Sequence, residues 1–168
     1  SLGNKASIEA IDSQFVDKWY GESDGDHVLL KANGRFVFTD SGRLIGQTGW
    51  EGASLIWRGE NPENYRDYFV PSANQEKDDW ATLIEFVRAL DPGQTPDDAF
   101  PEAIDAVLGG DSFFRGIAGR LLIGDGDAWG INNGHNGYIA RDANRGDWSL
   151  VPFDTEAGFR ISSPGLFT

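Results

Sequence analysis

The sequence contains no cysteine and no methionine, and only two histidines, His27 and His135. Without cysteine there are no disulfides, no thiolate metal sites and no thiol nucleophile, although this alone fixes no compartment. Two histidines are too few for a zinc centre built on three of them. Positive charge is also scarce: 14 Lys plus Arg against 27 Asp plus Glu leave a formal net charge of −13. Such a surface repels phosphate backbones and anionic lipid, which argues against nucleic acid or a membrane surface as partner. It serves equally well for solubility or salt tolerance. No apolar run approaches the roughly 20 residues of a membrane span, and no basic, apolar signal sequence opens the chain. With Met absent, Ser1 is not expected to be a native start, and the chain is expected to be a processed or excised piece of a longer protein. Neither a G-x-S-x-G elbow nor a Walker-type phosphate loop occurs. What is present is 168 residues, 39% hydrophobic and 24% charged, one domain's worth of soluble globular sequence with enough apolar content for a sizeable core.

The chemistry-bearing residues concentrate between Gly124 and Phe159. Asp125 and Asp127 stand at one end of this stretch, Asp154 and Glu156 at the other, and Asn132, Asn133 and Asn136 lie between. Tyr138-Ile139-Ala140 and Trp148-Ser149-Leu150-Val151 read as two strands joined by the polar turn Asp142–Asp147. A hairpin there folds the stretch back on itself and brings the two acidic ends together. Carboxylates and an Asn carboxamide converging at a strand end supply the hard oxygen ligands that Mg²⁺ prefers, with one carboxylate left to accept a proton from a hydroxyl nucleophile. Asn132 follows Asp127 by five positions, the interval at which protein-kinase-type enzymes place a catalytic-loop Asp and a metal-binding Asn. The run Asp125-Gly126-Asp127-Ala128-Trp129-Gly130 opens like an EF-hand loop. Trp129 at its fifth position and Asn136 at its twelfth, where a bidentate Glu is needed, argue against that assignment. His135 is either a hydrogen-bonding loop residue or a substrate contact.

Elsewhere, Ile8, Ile11, Phe15 and Trp19 recur at helical spacing behind Ser7 as N-cap, and their aromatics are expected in the core. Residues 28–32 and 35–38 flank Asn33-Gly34, a strong hairpin signal. Lys31, in mid-strand, reads from its position alone as a solvent-facing strand residue. Leu55-Ile56-Trp57 suggests a further strand, and Asn61-Pro62 a turn. From there to Asp125 the pattern predicts mostly helices. One carries Trp80, Leu83, Ile84, Val87 and Leu90 and is capped from Asp78 or Asp79. Another starts at Thr95-Pro96, restarts at Pro101 and ends at Gly109-Gly110. A third is capped by Asp111, with Phe114, Ile117, Ala118, Leu121 and Leu122 facing inward.

Asp127, Asn132-Asn133, Gly137-Tyr138-Ile139-Ala140, Gly146-Asp147-Trp148 and Pro152-Phe153-Asp154-Thr155-Glu156-Ala157-Gly158-Phe159 together resemble the C-terminal half of the CotH (spore-coat protein H) kinase family of atypical, protein-kinase-like proteins. Upstream, Ile8-Glu9-Ala10-Ile11-Asp12 with Phe15, then Gly25 and Leu29-Leu30-Lys31, is similar to that family's Glu-x-x-Asp helix and Lys-bearing strand. The resemblance implies an α+β chain with a partial protein-kinase-like fold. Residues 1–60 would be a β-rich remnant of the N-terminal lobe, a helix plus hairpin. Residues 61–168 would be a helical lobe carrying the catalytic-type loop and β-hairpin of 124–159, the whole forming a single compact domain.

The function implied is Mg-ATP-dependent phosphoryl transfer to a hydroxyl acceptor, either protein or small molecule. Asp127 would orient or deprotonate that hydroxyl, while Asn132 and Asp154 would hold Mg²⁺, with Mn²⁺ or Ca²⁺ also compatible. Glu156 would support that metal or bind a second one, and Lys31 and Asn136 would contact the nucleotide, Asn136 competing with Asn132 for the metal. Phe153 stands where the family has Trp, and Glu156 where it has Asp. The family's further phosphate-contacting strands, which carry Arg-x-x-Gly and another Lys and precede the Lys31 strand, are absent from these 168 residues, so activity is expected of a longer parent protein. The alternative is a non-catalytic, kinase-like binding or coat module with a structural divalent ion. The resemblance also implies an extracellular, cell-surface or spore-coat setting.

Overall fold

Strand β1 (Val28–Ala32) is the centre about which the chain folds. The computed structural model describes residues 9–23, 26–33, 35–42, 44–48, 53–108, 111–130, 135–155 and 158. On one edge β1 pairs antiparallel with β4 (Phe69–Ala73), and on the other with β5 (Gly137–Arg141), which pairs in turn with β6 (Trp148–Pro152). The result is an α+β architecture with a four-stranded antiparallel sheet in the order β4-β1-β5-β6 and four helices among the described residues. The helices are α1 (Ser13–Tyr20), α2 (Ala81–Leu90), α3 (Phe100–Val107) and α4 (Asp111–Leu122). A separate two-stranded ribbon pairs β2 (Arg35–Phe38) with β3 (Leu44–Thr48).

Strand alternation divides the core in two. Val28, Leu30 and Ala32 of β1, with Ile139, Trp148 and Leu150, join a front core built with α2 and Phe113 of α4. Its spine is aromatic: Trp148 stacks on Phe86 at 4.9 Å, Phe86 meets Phe113 edge-on at 6.2 Å, and Phe113 meets Trp129 edge-on at 6.2 Å. Such pairs add to the burial of large apolar area. The back face presents Leu29, Tyr138 and Ala140 to Val16 of α1, with Phe15 and Tyr20 partly buried beside them. Asp12 caps α1, its Oδ1 accepting from the N–H groups of Gln14 and Phe15 at 3.0 and 3.2 Å.

Several local expectations are corrected by tertiary competition. Asn33-Gly34 does not close a hairpin between β1 and β2, because both hydrogen-bonding edges of β1 are occupied by β4 and β5. The Asn33 N–H goes instead to the Tyr68 carbonyl at 2.8 Å. Leu55-Ile56-Trp57 is irregular rather than a strand. Nearby backbone is satisfied by a side chain: the buried Tyr65 hydroxyl accepts from the Arg58 N–H at 2.7 Å and donates to the Gly59 carbonyl at 2.9 Å. The segment after Asn61 is not helical throughout, since it contains the edge strand β4, where Pro71 is tolerated because an edge strand need not donate on both sides. Helix α3 begins at Phe100, not Pro96. A helix begun at Pro96 would carry Pro101 in its interior, whereas here Pro101 falls in the first turn, where no N–H is needed. Helix α1 begins after Asp12; Ser7 and Ile8 lie outside the described residues, and Trp19 is exposed rather than in the core.

The most consequential correction concerns α4. Phe114, Leu121 and Leu122 face solvent, and the inward positions are Phe113, Gly116, Ile117 and Arg120. Gly116 sets this phase. A Cβ there would lie 3.0 Å from Leu150 Cβ and 3.1 Å from its carbonyl oxygen, so only glycine lets α4 approach β6 this closely. Phe113→Ala is therefore expected to cost about 3–5 kcal/mol, whereas Leu122→Ala should stay within about 0.5 kcal/mol. Urea unfolding of the two variants measures this, and a larger cost for Leu122 would refute the assigned helix face.

Candidate functional site

Because α4 turns Arg120 inward, its guanidinium is carried under the loop that follows the helix. Arg120 is 2% exposed and Asp125 1% exposed. The Arg120 Nε–H donates to Asp125 Oδ2 at 2.8 Å, and Nη2 lies 2.5 Å from the same oxygen. A guanidinium has five N–H donors, and leaving any unmet when buried is costly. The remaining donors meet main-chain carbonyls. Nη1 donates to the Asn136 and Phe153 oxygens, the latter at 2.7 Å, and Nη2 donates to the Asp154 oxygen at 3.3 Å. One side chain thus ties together the loop after α4, the chain entering β5 and the chain leaving β6.

The Asp125 carboxylate extends the network by accepting the Asp127 N–H on Oδ1 at 3.2 Å. Asn136 closes it, its Nδ2 donating to the Asp127 carbonyl at 3.1 Å and to Asp127 Oδ2 at 2.9 Å. Both oxygens are acceptors only, so the carboxamide nitrogen must face Asp127, and its oxygen remains an acceptor for another partner. Asn136 and Asp154 both have positive φ, +62° and +53°. Such backbone is held only where surrounding contacts over-determine it, and here both residues give their carbonyl oxygens to Arg120.

Asp127, Asn136 and Asp154 therefore belong to one assembly about Arg120, with the side chains of Asp127 and Asp154 in exposed residues. Lys31 lies on β1 opposite Tyr138 of β5. Its Nζ stands 5.0 Å from the Phe153 ring centroid and 5.9 Å from that of Tyr138, and it has no carboxylate partner among the described residues. Burial pushes the Tyr138 phenol above its ordinary pKa, so this ring stays uncharged beneath the lysine at neutral pH. Asn132 and Glu156 lie outside the described residues. Arg120, which organises the site, was not anticipated from sequence. Its signal was the inward set Phe113, Gly116, Ile117 and Arg120 at helical spacing, hidden because neighbouring Phe114, Leu121 and Leu122 are more apolar.

Among the described residues, no three His, Cys, Asp or Glu side chains converge as a ready metal cage. The donors at hand are the carboxylates of Asp127 and Asp154 and the carboxamide oxygen of Asn136, all hard oxygens. This sparse set fits Mg²⁺, which commonly takes one or two carboxylates and fills its shell with water and substrate phosphates.

The family model described as CotH kinase protein matches residues 6–164. Neither the curated proteins nor the solved structures yield a match to the chain.

Removing the cation from this network should be expensive. Arg120→Met would leave the Asp125 carboxylate buried and unpaired, a loss of about 3–5 kcal/mol. Arg120→Met combined with Asp125→Leu should recover much of it, because no lone charge remains. Denaturant unfolding of the single and double variants measures the coupling, and additive losses would contradict it.

Proposed function

The chain belongs to the CotH kinase family, and from that membership we propose that it is a kinase-like domain whose Arg120-organised loops serve Mg-ATP-dependent phosphoryl transfer to a hydroxyl acceptor. The observation that carries this is the pairing of Asn136 with Asp127 at 2.9 Å within a network that also fixes Asp154. The order of a sheet-forming first part, helices, an acidic loop and a hairpin fits a partial protein-kinase-like fold. Helical and hairpin elements would hold the catalytic loop between them.

Catalysis of this kind consists mostly of positioning and charge neutralisation. Asp127 projects from a loop whose main chain is fixed at its N–H by Asp125 and at its carbonyl by Asn136. An acceptor hydroxyl placed against the Asp127 carboxylate would be oriented toward the phosphoryl group and give up its proton there. Asp154 and the Asn136 oxygen would hold a Mg²⁺ ion, which when bound neutralises charge on the nucleotide phosphates. Lys31 supplies a further cation, seated on aromatic rings and uncommitted to a carboxylate among the described residues. In a chain of net charge −13, such local positive charge is what an anionic nucleotide requires.

One observation favours a second reading, a non-catalytic module of the same shape. Asp127 Oδ2 is already engaged by Asn136, an arrangement that would also suit a purely structural loop. Calorimetric titration with ATP separates the two. The expected result is Mg²⁺-dependent binding that Asp154→Asn weakens about tenfold or more without altering the unfolding transition. ATP binding that ignores Mg²⁺ and survives Asp154→Asn would remove the phosphotransferase reading.

A further inference from the structure

A cleft of about 300 Å³ opens at the end of the sheet away from the Arg120 network. Strand β5 spans the distance: Gly137 adjoins the Arg120 network and Arg141 lines the cleft, roughly 13 Å away at the rise of a β-strand. The floor is apolar, formed by Val28 and Leu30 of β1 and Pro71 of β4. The rim is charged, and most of its charges are spoken for. Asp26 pairs with Lys77 at 2.6 Å. Asp78 receives both Nη groups of Arg66 at 2.6 Å and the Trp80 indole N–H at 2.8 Å. The Arg66 guanidinium, with the indole behind it, holds the Asp78 carboxyl down to about 2. His27 is likewise committed, its Nε2–H donating to the Gly21 carbonyl at 2.5 Å while Nδ1 accepts from the Ala143 N–H at 3.0 Å.

Two charges remain. Arg141 has no ion pair or side-chain hydrogen bond among the described residues. Asp79 has no cation partner there, its one bond being acceptance of the Ala81 N–H at 3.1 Å. Part of the same lining is fixed by unusual backbone: Asn74 at φ +51° and Asp78 at φ +46° bracket the short turn Gln75–Lys77. Asn74 also donates its Nδ2–H to the His27 carbonyl at 2.8 Å. Non-glycine residues in this region cost conformational energy and recur at ligand clamps.

We propose that this cleft binds a small apolar zwitterion, of the class of free α-amino acids and dipeptides. The carboxylate would take the planar, two-pronged guanidinium of Arg141, the ammonium would face Asp79, and the apolar body would cover Val28, Leu30 and Pro71. A simple anion would be repelled by Asp79, and a simple cation by Arg141. Only a ligand carrying both charges satisfies the two leftover groups together.

Calorimetric or NMR titration of the whole chain with L-leucine and with leucyl-leucine tests this. At least one should bind saturably, and its N-acetylated and C-amidated forms, each lacking one charge, should bind about tenfold more weakly or worse. Arg141→Gln should abolish binding while leaving the thermal transition in place, since that side chain makes no ion pair or hydrogen bond among the described residues. The paired ligands on the unaltered chain keep the test decisive if the variant proves unstable. Absence of binding by both parent ligands, or equal binding of the blocked forms, overturns the proposal.

Discussion

The buried pair of Arg120 and Asp125 is the constraint on which the candidate site depends. Two ions this far from water lose several kcal/mol of hydration each, and their mutual attraction alone does not guarantee a gain. What makes the arrangement tenable is that the other guanidinium donors reach carbonyl oxygens of Asn136, Phe153 and Asp154. The pair therefore contributes geometry more than stability. It converts two loops far apart in sequence into one surface, and that surface carries Asp127, Asn136 and Asp154.

That constraint reaches back into the hydrophobic core. Arg120 points inward only because α4 is rotated to lay Phe113, Gly116 and Ile117 on the sheet, and Gly116 permits the contact by lacking a Cβ against Leu150. Phe113 in turn is gripped between Phe86 and Trp129, and Trp129 is anchored by its indole N–H to the Ala53 carbonyl at 2.8 Å. A packing choice in the core thus sets the position of a charge, and the charge sets the position of the loops. Dispersion and burial supply the energy, and the guanidinium supplies the direction.

How much of this was legible in the sequence follows from how local each signal is. The β5–β6 hairpin was readable, because its alternation and its polar turn are contained in one short stretch. So was α2, whose apolar face fills its whole length. The Asn33-Gly34 signal misled, since a local turn preference yields to a strand already paired on both edges. Strand β4 was hidden by Pro71 and by its shortness. Helix α4 was phased by its apolar residues, although four of the five expected inward, Phe114, Ala118, Leu121 and Leu122, face solvent, because a buried arginine is rarely expected. The site shows the same pattern. Its acidic residues were visible as motifs, but the residue that holds them together was visible only as part of a helix face.

The most direct measurement of the central claim is paramagnetic broadening by Mn²⁺, which takes the same hard oxygen ligands as Mg²⁺. In a two-dimensional amide NMR spectrum of the chain with ATP, substoichiometric Mn²⁺ should first erase the signals of Asp127, Asn136 and Asp154 and of their immediate neighbours. Mg²⁺ in excess should restore them. Broadening that begins elsewhere on the acidic surface, or that spreads evenly over it, would contradict the assignment of this Arg120-bound assembly as the metal–nucleotide site.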